Sequence, residues 1–197
     1  MITNDIEVRL AAFDWLSKKS TEYEDVIPRS VLAQGFVFQD HRIRLMGPQG
    51  IFKPRVLSEL PISITTAPQG PYDDSFSEDG FLLYKYRGTN PQHHENAGLR
   101  KAMITQTPLI YFHGVVPGKY LAVWPVFIVG DMPKKLTFKV AADDINFAKD
   151  SLTKNDIAME VKDSGDEARR AYITSNIRIR LHQRGFREKV LHAYKAR

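Results

Sequence analysis

The chain has 197 residues, of which 43% are hydrophobic, so it is long enough and apolar enough for one substantial core with appendages. The formal net charge of +5 is compatible with a polyanionic partner and too small for charge-driven disorder. No cysteine is present, which excludes disulfides and thiolate-bound zinc and fits a reducing, cytoplasmic compartment. No apolar run approaches the roughly 20 residues of a membrane-spanning helix, so no membrane partner is expected. The first residues do not pair a basic segment with an apolar run, as a secretory leader would.

Residues 5–19 read as an amphipathic helix, with Ile6, Leu10, Phe13 and Leu16 at helical spacing and Asn4 or Asp5 able to cap its start. A polar loop follows. Pro28 suits the first turn of a short second helix over 29–34, and Gly35 lies just past its end. The mixed charges of both helices favour a packing role. Gly35-Phe36-Val37-Phe38 and Arg42-Ile43-Arg44-Leu45-Met46 read as a hairpin around Gln39-Asp40-His41. The loop Gly47-Pro48-Gln49-Gly50 is either a tight turn or a place where backbone approaches a phosphate, with Lys53 or Arg55 to neutralise it.

Residues 60–66 alternate, carry β-branched side chains and predict a strand. It leads into the most informative stretch, Gly70-Pro71-Tyr72-Asp73-Asp74-Ser75-Phe76-Ser77-Glu78-Asp79-Gly80-Phe81-Leu82-Leu83-Tyr84-Lys85-Tyr86-Arg87-Gly88. Pro71 and Gly80 punctuate a loop, and from Phe81 the pattern alternates, with Leu82, Tyr84 and Tyr86 on one face. A loop aromatic, two acids and a strand aromatic can converge on one cavity fit for a planar, hydrogen-bonding ligand such as a nucleobase. Barrel-core tyrosines beside a capped acidic turn explain the same residues.

A helix is predicted over 96–104 with Arg100 and Lys101 exposed, then strands over 109–112, 120–129 and 136–140. Pro125 places an edge or a bulge in the second of these. The region 146–166 reads as polar and irregular. From Ala168 onward Arg169, Arg170, Arg178, Arg180, Arg184, Arg187, Lys189, Lys195 and Arg197 are opposed only by Glu188. Ile177-Arg178-Ile179-Arg180-Leu181 alternates, whereas Phe186, Val190 and Tyr194 follow a helical period.

Tyr72-Asp73-Asp74, the acidic loop ending in Gly80 and the aromatic strand closing on Tyr86-Arg87-Gly88 resemble the signature of SRA (YDG) domains. Asn96-Ala97-Gly98-Leu99-Arg100-Lys101-Ala102-Met103, Pro108-Leu109-Ile110-Tyr111-Phe112-His113-Gly114 and Gly118-Lys119-Tyr120-Leu121-Ala122-Val123 resemble the family's next helix and strands, in the same order. Gly47-Pro48-Gln49-Gly50-Ile51-Phe52-Lys53-Pro54 and Tyr120-Leu121-Ala122-Val123-Trp124-Pro125-Val126 are closer still to the N-terminal part of bacterial modification-dependent restriction enzymes, in which such a reader precedes an HNH nuclease.

The resemblance implies an α+β molecule: an SRA/PUA-like curved β-barrel over 36–145, helices packed on it from 1–35, and a basic helical extension over 146–197 leading towards a nuclease module. It implies binding of double-stranded DNA and flipping of a 5-methyl- or 5-hydroxymethylcytosine, without a cofactor. Tyr72 and either Tyr84 or Tyr86 would stack on the base, Asp73 or Asp74 would accept from its N4 amino group, and Arg87 stands where the family usually has Thr beside the 5-substituent. Lys53, Arg55, Arg100, Lys101, Arg178 and Arg180 are the candidate backbone contacts. The chain ends where the nuclease would begin, so catalysis by this chain alone is not expected, and a homodimer is compatible with the pattern. Two other readings stay open: a metal-dependent HNH-type nuclease using His93, His94, Asn96 and His113, whose spacing is too tight for that site, and a PUA-like RNA-binding domain.

Overall fold

The computed structural model describes residues 5–68, 75–146 and 164–195. The described residues form an α+β fold, a curled half-barrel sheet of mixed strands with four helices. The elements run α1 (Asp5–Glu22), β1 (Val26–Pro28), α2 (Arg29–Gln34), β2 (Phe36–Phe38), β3 (His41–Ile43), β4 (Ile51–Phe52), β5 (Ser63–Thr66), β6 (Ser75–Phe76) and β7 (Leu82–Lys85). They continue with α3 (His94–Ile104), β8 (Leu109–Val116), β9 (Lys119–Met132), β10 (Thr137–Ala142) and α4 (Ser164–Lys195).

The sheet order is β4-β5-β8-β9-β10-β7-β6, with β1 added to β9. Among the described residues β5 and β8 pair in parallel and the other pairs are antiparallel. β9 is the organising strand. Its first residues pair with β1 and β8, and its second half pairs with β10. Pro125 is therefore in the central strand rather than at an edge. It is tolerated there because the β8–β9 register shifts between Leu109 and Tyr111, the bulge that a proline lacking an N–H requires.

Alternate residues of the strands feed two cores. Ile110, Phe112, Tyr120 and Ala122 meet Val8, Ala12, Phe13 and Leu16 of α1, together with Leu32 and Ile43. Tyr111, Leu121 and Val123 point the other way, to Ile51, Ile64, Leu82, Tyr84, Tyr86, Val140, Leu99 of α3 and Leu181 of α4. Ile51 and Tyr84 come from near opposite margins of the sheet. Their sharing one cluster is what makes that side the inside of the curl.

Local signals explain the short elements. α2 lies between Pro28 and Gly35, and Gly35 takes φ +64° so close to the Ile43 carbonyl that a Cβ would collide with it. The β2–β3 turn is two residues, Gln39 and Asp40, both at positive φ, and His41 already belongs to the strand. The alternating stretch from Ile177 to Leu181 is helical. Thr174, Ile177 and Leu181 pack on the sheet at helical spacing, while Ile179 faces out.

Two charged anchors hold helices to the sheet. Arg9 of α1 is fully buried. It pairs with Asp5 and donates from one terminal nitrogen to the carbonyls of Pro61 (3.0 Å) and Pro108 (2.9 Å), the chain segments entering β5 and β8. Burial lowers its pKa and the Asp5 carboxylate opposes that. Asp143, just after β10, receives Arg170 Nε at 2.7 Å and Arg169 at 3.2 Å from α4. Near the far end of α4, Glu188 takes Lys119 at 2.9 Å and Arg184 reaches Asp25 at 3.3 Å.

Candidate nucleic-acid interface

The loop expected to carry the base pocket joins β5 to β6, strands near the two opposite margins of the sheet. Tyr72, Asp73 and Asp74 lie outside the described residues, but both ends of their loop are fixed. On the β5 side, Pro68 lies so near Gly114 of β8 that a Cβ there would sit 2.4 Å from the proline ring. On the β6 side, Ser75 and Phe76 pair with Leu83 and Leu82. The two described ends, Pro68 and Ser75, therefore flank the opening of the curl.

Tyr84 bridges the same opening. It rises from β7, and its hydroxyl donates to the Thr65 carbonyl of β5 at 3.4 Å, beside Gly50. A Cβ on Gly50 would come within 2.9 Å of that hydroxyl, so a glycine is needed for the approach. Tyr86, two residues on, sits deeper. Its ring lies 4.5 Å from that of Phe138 and beneath the Arg100 guanidinium, 5.9 Å from the ring centre. Its hydroxyl donates to Asp131 and accepts from Arg100 at 3.3 Å, while Arg100 Nε bonds the other Asp131 oxygen at 2.6 Å. Desolvation, and then the Asp131 carboxylate, raise the Tyr86 pKa; Arg100 opposes them. The strand thus offers two tyrosines in one core, Tyr84 beside the loop anchor and Tyr86 inside a closed polar clamp.

Arg87 is exposed and lies 3.6 Å from Glu95. Its backbone is held on both sides by the buried Asn96, whose Oδ1 accepts from Arg87 N and whose Nδ2 donates to the carbonyls of Arg87 and Asn90. Asn96 is thus a structural brace for the turn at Gly88. Sequence reasoning missed this role, because the signal lies in a pairing across nine residues.

The candidate backbone-contact cations divide. Arg55 and Arg180 are exposed. Lys53 is exposed, but its amine donates to the carbonyls of Leu57 (2.9 Å) and Ser58 (3.1 Å). Lys101 pairs with Glu59 at the surface. Arg100, expected to be exposed, instead turns back onto Asp131, Tyr86 and the Pro91 carbonyl. Arg178 lies over the Phe76 ring at 5.8 Å, so α4 touches β6. Between them, Phe76, Leu82, Val140, Thr174, Ile177 and Leu181 enclose an apolar void with room for about one water.

The histidines are placed as follows. His93 caps α3, its Nδ1 accepting from Glu95 N at 3.3 Å, and its ring is 4.4 Å from that of His94. His113 is mostly buried, with Nδ1 3.0 Å from the Tyr111 hydroxyl, which also meets Thr66 Oγ1 at 3.1 Å. Burial, with smaller contributions from His182 and Lys189 of α4, pushes its pKa down to about 4, so the ring is neutral at pH 7. Among the described residues no group of three His, Cys, Asp or Glu side chains is placed to hold a metal ion, and no helix is long and apolar enough to cross a membrane.

Comparison with protein families, curated proteins and solved structures found no match to this chain.

Proposed function

We propose that the chain is an SRA-like reader of modified cytosine in duplex DNA, the recognition part of a modification-dependent restriction system. The observation that carries the reading is that β5 and β6, the strands on either side of Tyr72, Asp73 and Asp74 in the chain, lie near opposite margins of the curled sheet, with the Tyr84 hydroxyl reaching from β7 to β5. The order of the sequence motifs from Gly47 to Ala141 supports the same reading.

Flipping a base costs a few kcal/mol, and each base–aromatic stack returns about 1–3 kcal/mol. Tyr72 supplies one such stack. Of the two strand tyrosines, the geometry favours Tyr84 for the second, because Tyr86 is already packed by Phe138 and Arg100. Asp73 or Asp74 accepts from the exocyclic amino group, and Arg87 stands at the turn beyond β7. A buried methyl contributes only about 1 kcal/mol, so preference over plain cytosine is modest unless the niche also excludes water. Arg55 neutralises a phosphate.

The test is fluorescence-anisotropy binding to one duplex carrying cytosine, 5-methylcytosine or 5-hydroxymethylcytosine at a single position, at fixed salt. The expected result is tighter binding to a modified duplex, weakened about ten-fold by Tyr72→Ala or by Asp74→Ala. Equal, salt-sensitive binding to all three duplexes would reduce the chain to a basic DNA-binding domain. Preferential binding to the same sequence as RNA would favour the PUA-like alternative.

A further inference from the structure

α4 is 32 residues long and has apolar residues on two opposite faces. One face is used: Thr174, Ile177, Leu181 and Gly185 lie against the sheet, and a Cβ on Gly185 would stand 3.3 Å from Val115. The other face is exposed. Tyr172, Ile179 and Phe186 recur every seven residues on it, with Asn176, Gln183 and Val190 at the intervening four-residue steps. Its large apolar residues Tyr172, Ile179, Phe186 and Val190 are between 36% and 72% exposed. This 4-3 alternation is the seam of a helix that pairs with another helix, and it extends for about 27 Å at 1.5 Å per residue.

The seam's chemistry narrows the occupant. A lipid-facing helix needs a broad apolar face, whereas this stripe is narrow and interrupted by Asn176 and Gln183, amides that would be stranded in hydrocarbon. Such amides are the residues that fix register in a helix pair, because each bonds a polar partner across the seam. Duplex DNA would gain nothing from exposed Ile179 or Val190. The flanks then decide between partners. Arg180 and Arg187 border one side of the seam, and His182 and Lys189 border the other. Arg187 is also 3.7 Å from Glu24, in a pair that stays largely solvated. Two copies of α4 would bring the cations Arg180, Arg187 and Lys189 together in either orientation, which disfavours self-pairing.

We infer that this outer face of α4 docks an amphipathic helix of a partner protein whose apolar seam is bordered by Glu and Asp. The partner buries Ile179 and Phe186 and places carboxylates against Arg180, Arg187 and Lys189. The site is independent of the base pocket, so it stands or falls without the reader assignment.

The probe is a synthetic helix of about 25 residues with Leu at its seam positions, Asn where it meets Asn176 and Gln183, and Glu on its flanks. Its control twin carries Lys on the flanks. Calorimetry on the full chain should show the Glu peptide binding at least about ten-fold more tightly than the Lys twin. Ile179→Glu and Phe186→Ser, both on exposed positions, should each weaken it about ten-fold while leaving the circular dichroism and urea midpoint unchanged. Absence of peptide binding, indifference to flank charge, or indifference to Ile179→Glu would each overturn the inference. So would a dimer in sedimentation velocity that Ile179→Glu dissociates. Binding to duplex DNA, or to vesicles of phosphatidylcholine and phosphatidylserine in equal parts, that Phe186→Ser abolishes would overturn it by naming a different occupant.

Discussion

The two faces of the sheet are packed from the same strands and differ in where they keep their polar groups. The outer face, under α1, is mostly apolar: Ser63 Oγ donates to the Leu45 carbonyl at 2.6 Å, and the one buried charge, Arg9, spends its hydrogen bonds on Asp5 and on the carbonyls of Pro61 and Pro108. The inner face holds Tyr84, Tyr86 and Tyr111, each with its ring in the core and its hydroxyl on a partner. An arginine also serves the inner face, but Arg100 is a quarter exposed at the rim and is shared with a tyrosine. The difference separates a scaffold from a place where a ligand can be received. Breaking the outer face should change stability and leave binding alone. Breaking the inner face at its tyrosine rings should change binding, at a smaller cost in stability than the loss of Arg9.

Arg9→Met is the sharpest test of the scaffold half. It leaves two buried carbonyls without their donor, and each such group costs about 1–3 kcal/mol. The expected loss is about 4 kcal/mol by urea unfolding, with DNA affinity of the folded protein unchanged. A loss of affinity without a loss of stability would mean that the two faces are not separable in this way.

His113 gives the next effect, through pH. Its folded pKa of about 4 lies below the ordinary value of 6.5, so between those two values the unfolded chain binds more protons than the folded one. Its contribution is fully present above pH 6.5 and is lost as pH falls towards 4, in total roughly 3 kcal/mol. His113→Gln should flatten that slope in urea titrations between pH 7 and 4. An unchanged slope would show that α4, which brings His182 and Lys189 to the ring, does not seal it.

How much of this was legible in the chain depends on how far apart the partners stand. Pro28 and Gly35 delimit α2 by their own backbone chemistry, and Leu82, Tyr84 and Tyr86 show their shared face by simple alternation. Arg9 could not be read, since its carbonyl partners are 52 and 99 residues away. The Arg100–Asp131 pair spans 31 residues, so Arg100 read as an exposed helix cation. α4 was ambiguous for a different reason. With apolar residues on both faces, its helical period is blurred, and between Ile177 and Leu181 it resembles strand alternation. Pro125 was legible as an edge or a bulge, and the register shift beside it makes it a bulge. Its central position was not, because strand order is a property of the whole sheet.

Tyr86→Phe moves to the inner face and a smaller effect. It removes the hydroxyl that Asp131 and Arg100 share, for a loss of about 1 kcal/mol near neutrality. The pH signature identifies the cause. Because the folded Tyr86 pKa is raised, the folded protein keeps that proton after the unfolded chain has released it, so wild-type stability falls as pH rises above about 10. The variant lacks this part of the alkaline decline. Curves that stay parallel above that pH would place the hydroxyl outside the clamp.

Tyr84→Phe should be nearly silent in stability, which makes it the most useful test of the inner face. Its hydrogen bond to Thr65 is 3.4 Å, well beyond the 2.7–2.8 Å of a good hydroxyl donor, so that bond contributes about 0.5 kcal/mol. Phenylalanine keeps the ring and hence the stack, so affinity for a modified duplex should hold within about two-fold, whereas Tyr84→Leu should lose about ten-fold. If Tyr84→Leu binds as wild type while Tyr86→Leu does not, the base must displace Arg100 to reach Tyr86. The clamp with Asp131 would then be a gate that opens on binding, and the inner face would be less finished in its resting state than the outer one.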